Sequence, residues 1–77
     1  MSRSPRITGA ELIAALANDG FLVVGVRGSH HFIRHEDGRT TVVPVHSGET
    51  VGPGLLHKVL RDCDLSVEAL RKLMQSR

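Results

Sequence analysis

Three of the five histidines in this 77-residue chain fall within six consecutive positions. The stretch opens Gly28-Ser29-His30-His31 and ends at His35. An imidazole has an ordinary pKa of about 6.5, so it gains and loses protons near neutral pH and suits general acid–base catalysis. These histidines are therefore the first candidates for chemistry.

Basic side chains surround the histidines. Arg27 precedes them, Arg34 and Arg39 follow closely, and Lys58 comes later in the chain. The net charge of +2 and the pI of about 9.3 permit a nucleic-acid partner without requiring one. Histidine beside arginine suits RNA cleavage, because RNA carries its own 2′-hydroxyl nucleophile and needs a base, an acid and positive charge on the phosphate. The alternative is that these arginines form a solvated basic edge that binds no ligand.

The sequence leaves open which histidine faces outward. On a strand, His30 shares a face with Phe32 and Arg34, whereas His31 shares the other face with Ile33. Phe32 and Ile33 are both apolar, so alternation does not decide which of them lies in the core.

Three further histidines have simpler interpretations. His46 is a possible second acid or base, or a phosphate contact, with a hydrogen-bonded loop histidine as the alternative. We expect His35 and His57 to be solvated surface residues.

A metal site is a rival use for the histidines. Adjacent His30 and His31 point to opposite faces of a strand, and the single Cys63 offers no cysteine pair for a closed zinc site. We expect no metal and no cofactor. As the single cysteine, Cys63 forms no intrachain disulfide, and we expect it to be buried. No signal peptide or transmembrane run is visible, so we expect the protein to be located in the cytoplasm.

The apolar periodicity predicts a small α+β domain in which helices cover one face of a three-stranded antiparallel sheet and leave the other face open for a flat ligand. We expect a single domain over residues 1–77, with 1–6 and 75–77 frayed. Thr8 and Glu11 predict a capping box, and Asp37-Gly38 predicts a type I′ hairpin turn. The predicted elements are a helix over 8–19, strands over 21–26, 30–35 and 40–43, a helix opening at Gly52-Pro53, and a short helix after Ser66.

These motifs together resemble the HicA family of toxin ribonucleases from HicAB toxin–antitoxin pairs. The resemblance runs from about Thr8 to Leu70. It is carried by Gly20-Phe21, Gly28-Ser29-His30-His31, His35-Glu36-Asp37-Gly38-Arg39, Val43-Pro44-Val45-His46, Gly54-Leu55, Val59-Leu60 and Asp64-Leu65-Ser66.

The resemblance implies a fold like the double-stranded-RNA-binding domain, metal-independent cleavage of mRNA, and inhibition by a HicB-like antitoxin. It implies that His30 is catalytic, with His31 as the alternative, and that Gly28 and Ser29 support it. We expect RNA contacts from Arg27, Gly28, Ser29, Arg34, Arg39 and Lys58, no membrane partner, and a monomeric free toxin.

Two other functions stay open. One is a non-catalytic module that binds duplex RNA by shape. Its usual lysine cluster at the second helix is reduced here to Lys58. The other is a protein-binding partner that has lost activity.

Overall fold

The computed structural model describes residues 4–76, which form three helices and one three-stranded sheet. The order along the chain is α-β-β-β-α-α, which confirms the predicted α+β class, the three antiparallel strands and the additional C-terminal helix. The elements are α1 (Gly9–Ala17), β1 (Phe21–Arg27), β2 (His30–His35), β3 (Thr40–Pro44), α2 (Pro53–Asp62) and α3 (Val67–Gln75).

The sheet is an antiparallel meander with β2 in the centre and β1 and β3 at its edges. Its helix-covered face supplies Phe21, Ile33 and Val43 to the core, each no more than 1% exposed. Side chains of the helices and of the segments that flank them complete this core: Ile7, Leu12, Ala15, Leu16, Leu56, Val59, Leu60, Cys63 and Leu70. Burial of these side chains against the sheet leaves its opposite face without a covering layer.

The start of α1 is held by the predicted capping box. The Glu11 amide donates to Thr8 Oγ1 over 3.1 Å, and the Thr8 amide donates to Glu11 Oε1 over 2.9 Å. Gly9 follows, and its Cα lies so close to the Pro44 carbonyl that an added Cβ would overlap that oxygen. The absence of a side chain at Gly9 therefore lets α1 pack on the end of β3.

The turn between β1 and β2 has two central residues, Gly28 and Ser29, between the paired residues Arg27 and His30. Gly28 has a φ of 60°, and Ser29 does not have a positive φ, which is the pattern of a type II′ turn. A side chain at this φ is strained, so glycine allows the tight turn that places His30 at the first position of β2.

The predicted type I′ turn at Asp37-Gly38 is wrong. Gly38 has a φ of 104°, but Asp64 is the only non-glycine residue among 4–76 with a positive φ, so Asp37 does not meet the requirement. Instead, the Gly38 amide donates to the His35 carbonyl, and the His35 amide donates to the Arg39 carbonyl. A three-residue loop with glycine at its last position closes the hairpin, and the Asp37 carboxylate stabilises it by accepting the Arg39 amide.

The chain ends are described in part. Residues 1–3 and 77, which belong to the segments expected to fray, lie outside the described residues. Ser4 Oγ lies 2.9 Å from His57 Nε2, and the Asn18 side chain donates to the Ser76 carbonyl. Over the described range, no helix is both long and apolar enough to cross a bilayer.

Candidate functional site: the open face of the sheet

The face of the sheet away from the helices is called here the open face. The strand register places on it three cross-strand rows: Arg27–His30–Pro44, Gly25–Phe32–Val42 and Leu22–Arg34–Thr40. A β-bulge at Val24 adds one residue to β1, and Val24 lines the same surface depression as Phe32 and Val42.

The helices decide which histidine faces outward. Ile33 is buried beneath them, so its neighbours Phe32 and Arg34 point to the opposite side of the sheet. His30, two residues before Phe32, shares that side and is exposed. The structure therefore resolves the alternation that the sequence leaves open, with His30 on the open face and His31 on the helix-covered face.

The His30 ring is unconstrained. Within residues 4–76, no hydrogen bond or ion pair engages its nitrogens, and the same is true of the exposed side chains of Arg27 and Arg34. Arg27 is the cross-strand partner of His30, and Arg34 lies four residues further along the same face. Two guanidinium groups and one imidazole are thus available together to an anionic ligand.

His31 has a different environment. It is half-buried, opposite the buried Val43, and its Nδ1 lies 3.1 Å from the Ser29 carbonyl. A carbonyl oxygen only accepts, so Nδ1 carries the proton in this contact. The Ser29 carbonyl also accepts the Val45 amide over 2.8 Å, so Ser29 joins the turn, the His31 ring and the segment after β3.

His46 lies two residues beyond Pro44, the cross-strand partner of His30. Its side chain is 56% exposed, and its Nδ1 lies 4.0 Å from Glu49 Oε2. The carbonyl of His46 also accepts the Glu49 amide. His46 is therefore an exposed loop residue near the His30 end of the sheet, beside an acid that would pair with its protonated form.

The expectation that His35 is a solvated surface residue is wrong. Its side chain is 17% exposed, and its ring meets the Phe21 ring edge-on with centroids 5.0 Å apart. His35 Nε2 donates to the Asp19 carbonyl over 2.9 Å, and the Asp37 amide donates to His35 Nδ1 over 3.1 Å. His35 is part of the packing at the end of the sheet remote from His30. His57, by contrast, is exposed on α2, as predicted.

Arg39 lies at the same remote end. Its guanidinium stands 4.9 Å from the centre of the Phe21 ring, and its Nε donates to Asp37 Oδ2 over 2.8 Å. Arg39 Nη2 lies 3.6 Å from Asp19 Oδ2, and Nη1 donates to the Cys63 carbonyl. We call Asp19, Phe21, His35, Asp37, Arg39 and Cys63 the hairpin-end cluster. An RNA contact by Arg39 stays a prediction, and its guanidinium is already engaged by two carboxylates, a carbonyl and the Phe21 ring.

Lys58 is also engaged. Its Nζ donates to Asp62 Oδ2 over 2.9 Å, and Thr41 Oγ1 donates to the same oxygen. The Lys58 hydrogen bond is the main reason that the pKa of Asp62 is lowered, with a smaller contribution from Thr41. Lys58 borders the depression that contains Phe32 and Arg34, so its predicted RNA contact remains geometrically accessible.

Three other ionisable groups have shifted pKa values outside the open face, the first being Glu11, whose pKa is lowered mainly because its carboxylate accepts the Thr8 amide. The Arg39 amide donating to Asp37 lowers the pKa of that carboxyl. Burial raises the pKa of the Cys63 thiol to about 11, so this thiol is protonated at neutral pH. Cys63 is therefore a core residue with little nucleophilic character. Among residues 4–76, no group of three or more histidine, cysteine or acidic side chains is arranged to hold a metal ion.

Phe32 is a candidate functional residue that is not predicted from the sequence. Its side chain is 39% exposed on the open face, between His30 and Arg34. The alternation of residues along the strand allows Phe32 to face outward, but it does not decide the matter, because Phe32 and Ile33 are equally suitable for a core position.

Comparison with known families assigns the chain. The family model described as the HicA toxin of bacterial toxin–antitoxin systems matches residues 9–65, from the first residue of α1 to the segment between α2 and α3. A search of curated proteins gives no match. The matched range includes α1, the whole sheet and α2, and with them the open face and the hairpin-end cluster. The chain therefore belongs to the HicA family of toxins of bacterial toxin–antitoxin systems.

Proposed function

We propose that this HicA toxin is an endoribonuclease that cleaves mRNA without a metal ion, by general acid–base catalysis at His30. The observation that carries the proposal is the position of His30, exposed and without a hydrogen-bond partner among residues 4–76, on the same face as Arg27 and Arg34. RNA approaching this face brings its phosphates to two cations and its 2′-hydroxyl to a free imidazole.

In the proposed reaction, neutral His30 takes the proton from a 2′-hydroxyl. The 2′-oxygen then forms a bond to the adjacent phosphorus, and the bond from phosphorus to the 5′-oxygen breaks. A proton from an acid goes to the departing 5′-oxygen, Arg27 stabilises the charge on the reacting phosphate, and Arg34 binds a neighbouring phosphate of the same RNA. His46 is the first candidate for the acid because its chain segment directly follows the strand paired with His30, and His31 is the alternative base.

The main-chain geometry of the turn supports this role. Gly28 allows the type II′ turn, and the Ser29 carbonyl ties the turn to His31 and Val45. These contacts fix where β2 begins, and so where the His30 ring is presented. Gly28 and Ser29 therefore act as positioning residues.

A HicB-like antitoxin is the proposed inhibitor. The family is one half of a toxin–antitoxin pair, and the face that carries His30 also offers a protein partner the exposed apolar side chains of Leu22, Val24 and Phe32. An antitoxin seated there would prevent RNA from reaching the imidazole.

The test is incubation of the wild-type chain with a long single-stranded RNA in EDTA, followed by analysis of the new ends. We expect fragments with a 2′,3′-cyclic phosphate and a 5′-hydroxyl, because the 2′-oxygen is the nucleophile. Absence of cleavage, or fragments with a 3′-hydroxyl and a 5′-phosphate, would contradict the proposal.

The observation that favours a non-catalytic RNA-binding module as the second candidate is the composition of the His30 row. Its two cross-strand partners, Arg27 and Pro44, provide no carboxylate or second imidazole. RNA binding that weakens with salt, with no products over long incubation, would support this second candidate.

A further inference from the structure

His30, Phe32 and Arg34 form a column on the open face. They occupy alternate positions of β2, so their side chains point the same way and successive members are about 7 Å apart. A ligand that reaches His30 and extends along the strand must therefore pass Phe32 before it reaches Arg34. The column places an aromatic ring between a candidate base and a free guanidinium.

The surroundings of Phe32 leave its ring accessible. Its cross-strand partner in β1 is Gly25, and a Cβ added there would lie 3.9 Å from Phe32 Cδ2. Glycine therefore leaves open the space that a side chain would fill beside the ring. Val42 flanks it on β3, and the bulge at Val24 displaces β1 locally.

Phe32 is also unusual within this chain. The protein has two phenylalanines and no tyrosine or tryptophan, and Phe21 is buried in the core. Phe32 therefore provides the only exposed ring of this type among the described residues. Leu22 at 68% and Val24 at 62% exposure extend the apolar surface around it. An exposed apolar patch of this kind on a small domain indicates a binding surface.

The charge of the open face indicates what it binds. Its ionisable residues are Arg27, His30 and Arg34, and none of the ten residues in its three cross-strand rows and bulge is acidic. An aromatic platform within a positive surface is the combination that binds single-stranded nucleic acid, because bases stack on the ring while cations contact the backbone. Bases in a duplex have their flat faces covered by neighbouring bases, so such a platform favours unpaired ones.

We propose that the open face binds single-stranded RNA, with a nucleobase stacked on Phe32 and a neighbouring phosphate on Arg34. This inference rests on the proposed function, since it specifies the substrate class of the same site. Phe32 then acts as a positioning residue: stacking of the base sets the register of the RNA, and the adjacent ribose phosphate lies at His30.

The absence of tryptophan allows a direct test of stacking. In a Phe32→Trp variant, the single indole reports on the open face. We expect its fluorescence to be quenched by a single-stranded 2′-O-methyl RNA, which cannot be cleaved because its nucleophile is blocked. A duplex of the same sequence should quench much less.

Val26→Trp is the matched control. Val26 is 57% exposed on the same strand as Gly25, but it pairs with His31 and so belongs to the other face of the sheet. Its fluorescence should not change with RNA. Equal quenching at both positions, or none at Phe32→Trp, would overturn the proposal.

A second pair of variants separates aromatic stacking from apolar contact. Phe32→Leu should weaken binding of the uncleavable single strand roughly 5- to 150-fold, whereas Phe32→Tyr should retain it, because one base–aromatic stack accounts for that range. Val26→Ala should bind RNA as the wild type does. If Phe32→Leu leaves RNA binding unchanged and weakens only the antitoxin complex, the patch serves a protein partner and the proposal fails.

These measurements are independent of catalysis. Quenching at Phe32→Trp without any cleavage by the wild type would uphold the RNA site and contradict the ribonuclease proposal. Cleavage by the wild type without quenching at Phe32→Trp would uphold the ribonuclease proposal and contradict base stacking on Phe32.

Discussion

Two adjacent histidines illustrate how surroundings assign different roles to identical side chains. His31 is half-buried opposite Val43, and its Nδ1 is engaged by the Ser29 carbonyl. His30 is exposed, and no group in the described chain constrains its ring. A general base must reach a substrate proton and return to a proton-accepting state, so the free ring of His30 is the better candidate.

Arginines differ in the same way. Arg34 is exposed on the open face without an ion pair to any of residues 4–76, whereas Arg39 contacts Phe21, Asp37 and the Cys63 carbonyl. Sequence proximity to the histidines made both equal candidates for phosphate binding. The structure places them in different environments, with Arg39 acting within the hairpin-end cluster.

Truncation of Arg39 should therefore affect stability. We expect Arg39→Ala to lower the free energy of unfolding by about 1–3 kcal/mol, through the loss of charge-assisted hydrogen bonds and of the contact over the Phe21 ring. Arg34→Ala, the matched control, should change stability by less than about 0.5 kcal/mol and weaken RNA binding instead. Urea denaturation measures the first effect, and a wild-type unfolding midpoint for Arg39→Ala would contradict the assignment.

At the scale of elements, β2 shows what the sequence can predict. Its bounds, His30–His35, are those expected from the turns predicted on either side of it, at Arg27-Gly28 and at Asp37-Gly38. Its outward face was not predictable, because Phe32 and Ile33 have similar apolar character. Ile33 is buried by tertiary packing in the core beneath the helices, and the exposure of His30 on the opposite face follows from that packing.

The second hairpin shows a different limit. Asp37-Gly38 correctly predicts where the chain reverses, but not the kind of turn. The Arg39 amide and side chain both bind the Asp37 carboxylate, and His35 accepts the Asp37 amide. These side-chain contacts stabilise a longer loop, and they also explain why His35 is structural. The contacts of Arg39 with Asp19, Phe21 and the Cys63 carbonyl come from distant segments, so no local pattern predicts that part of the cluster.

The packing of α1 on β3 gives a prediction at this scale. Gly9→Ala should destabilise the protein by about 1–3 kcal/mol, because its Cβ would overlap the Pro44 backbone, which cannot rotate away. Gly54→Ala on α2 is the control. A Cβ at Gly54 meets no atom within 4 Å, so alanine there should be neutral or stabilising by up to about 1 kcal/mol. The thermal unfolding midpoints of the two variants test this prediction. Equal midpoints for Gly9→Ala and Gly54→Ala would contradict the close approach of α1 to the end of β3.

In the molecule as a whole, one end of the sheet carries the hairpin-end cluster and the other end carries the proposed catalytic residue. The hairpin-end cluster joins the β2–β3 loop to the ends of α1 and α2 through Asp19, Arg39 and the Cys63 carbonyl. The other end presents the Gly28-Ser29 turn and His30. The ionic contacts of the hairpin-end cluster thus lie away from the proposed catalytic residue, and the exposed groups of the open face remain available for a substrate or an antitoxin.

Catalysis by His30 can be tested by comparing the rates at which the wild type, His30→Ala and His57→Ala cleave a long single-stranded RNA in EDTA, with circular dichroism on all three. His57 is the control because it is an exposed histidine on α2, outside the open face. We predict that His30→Ala remains folded and loses about 10²- to 10⁴-fold in rate, while His57→Ala cleaves as the wild type does. A folded His30→Ala with the wild-type rate would contradict the account.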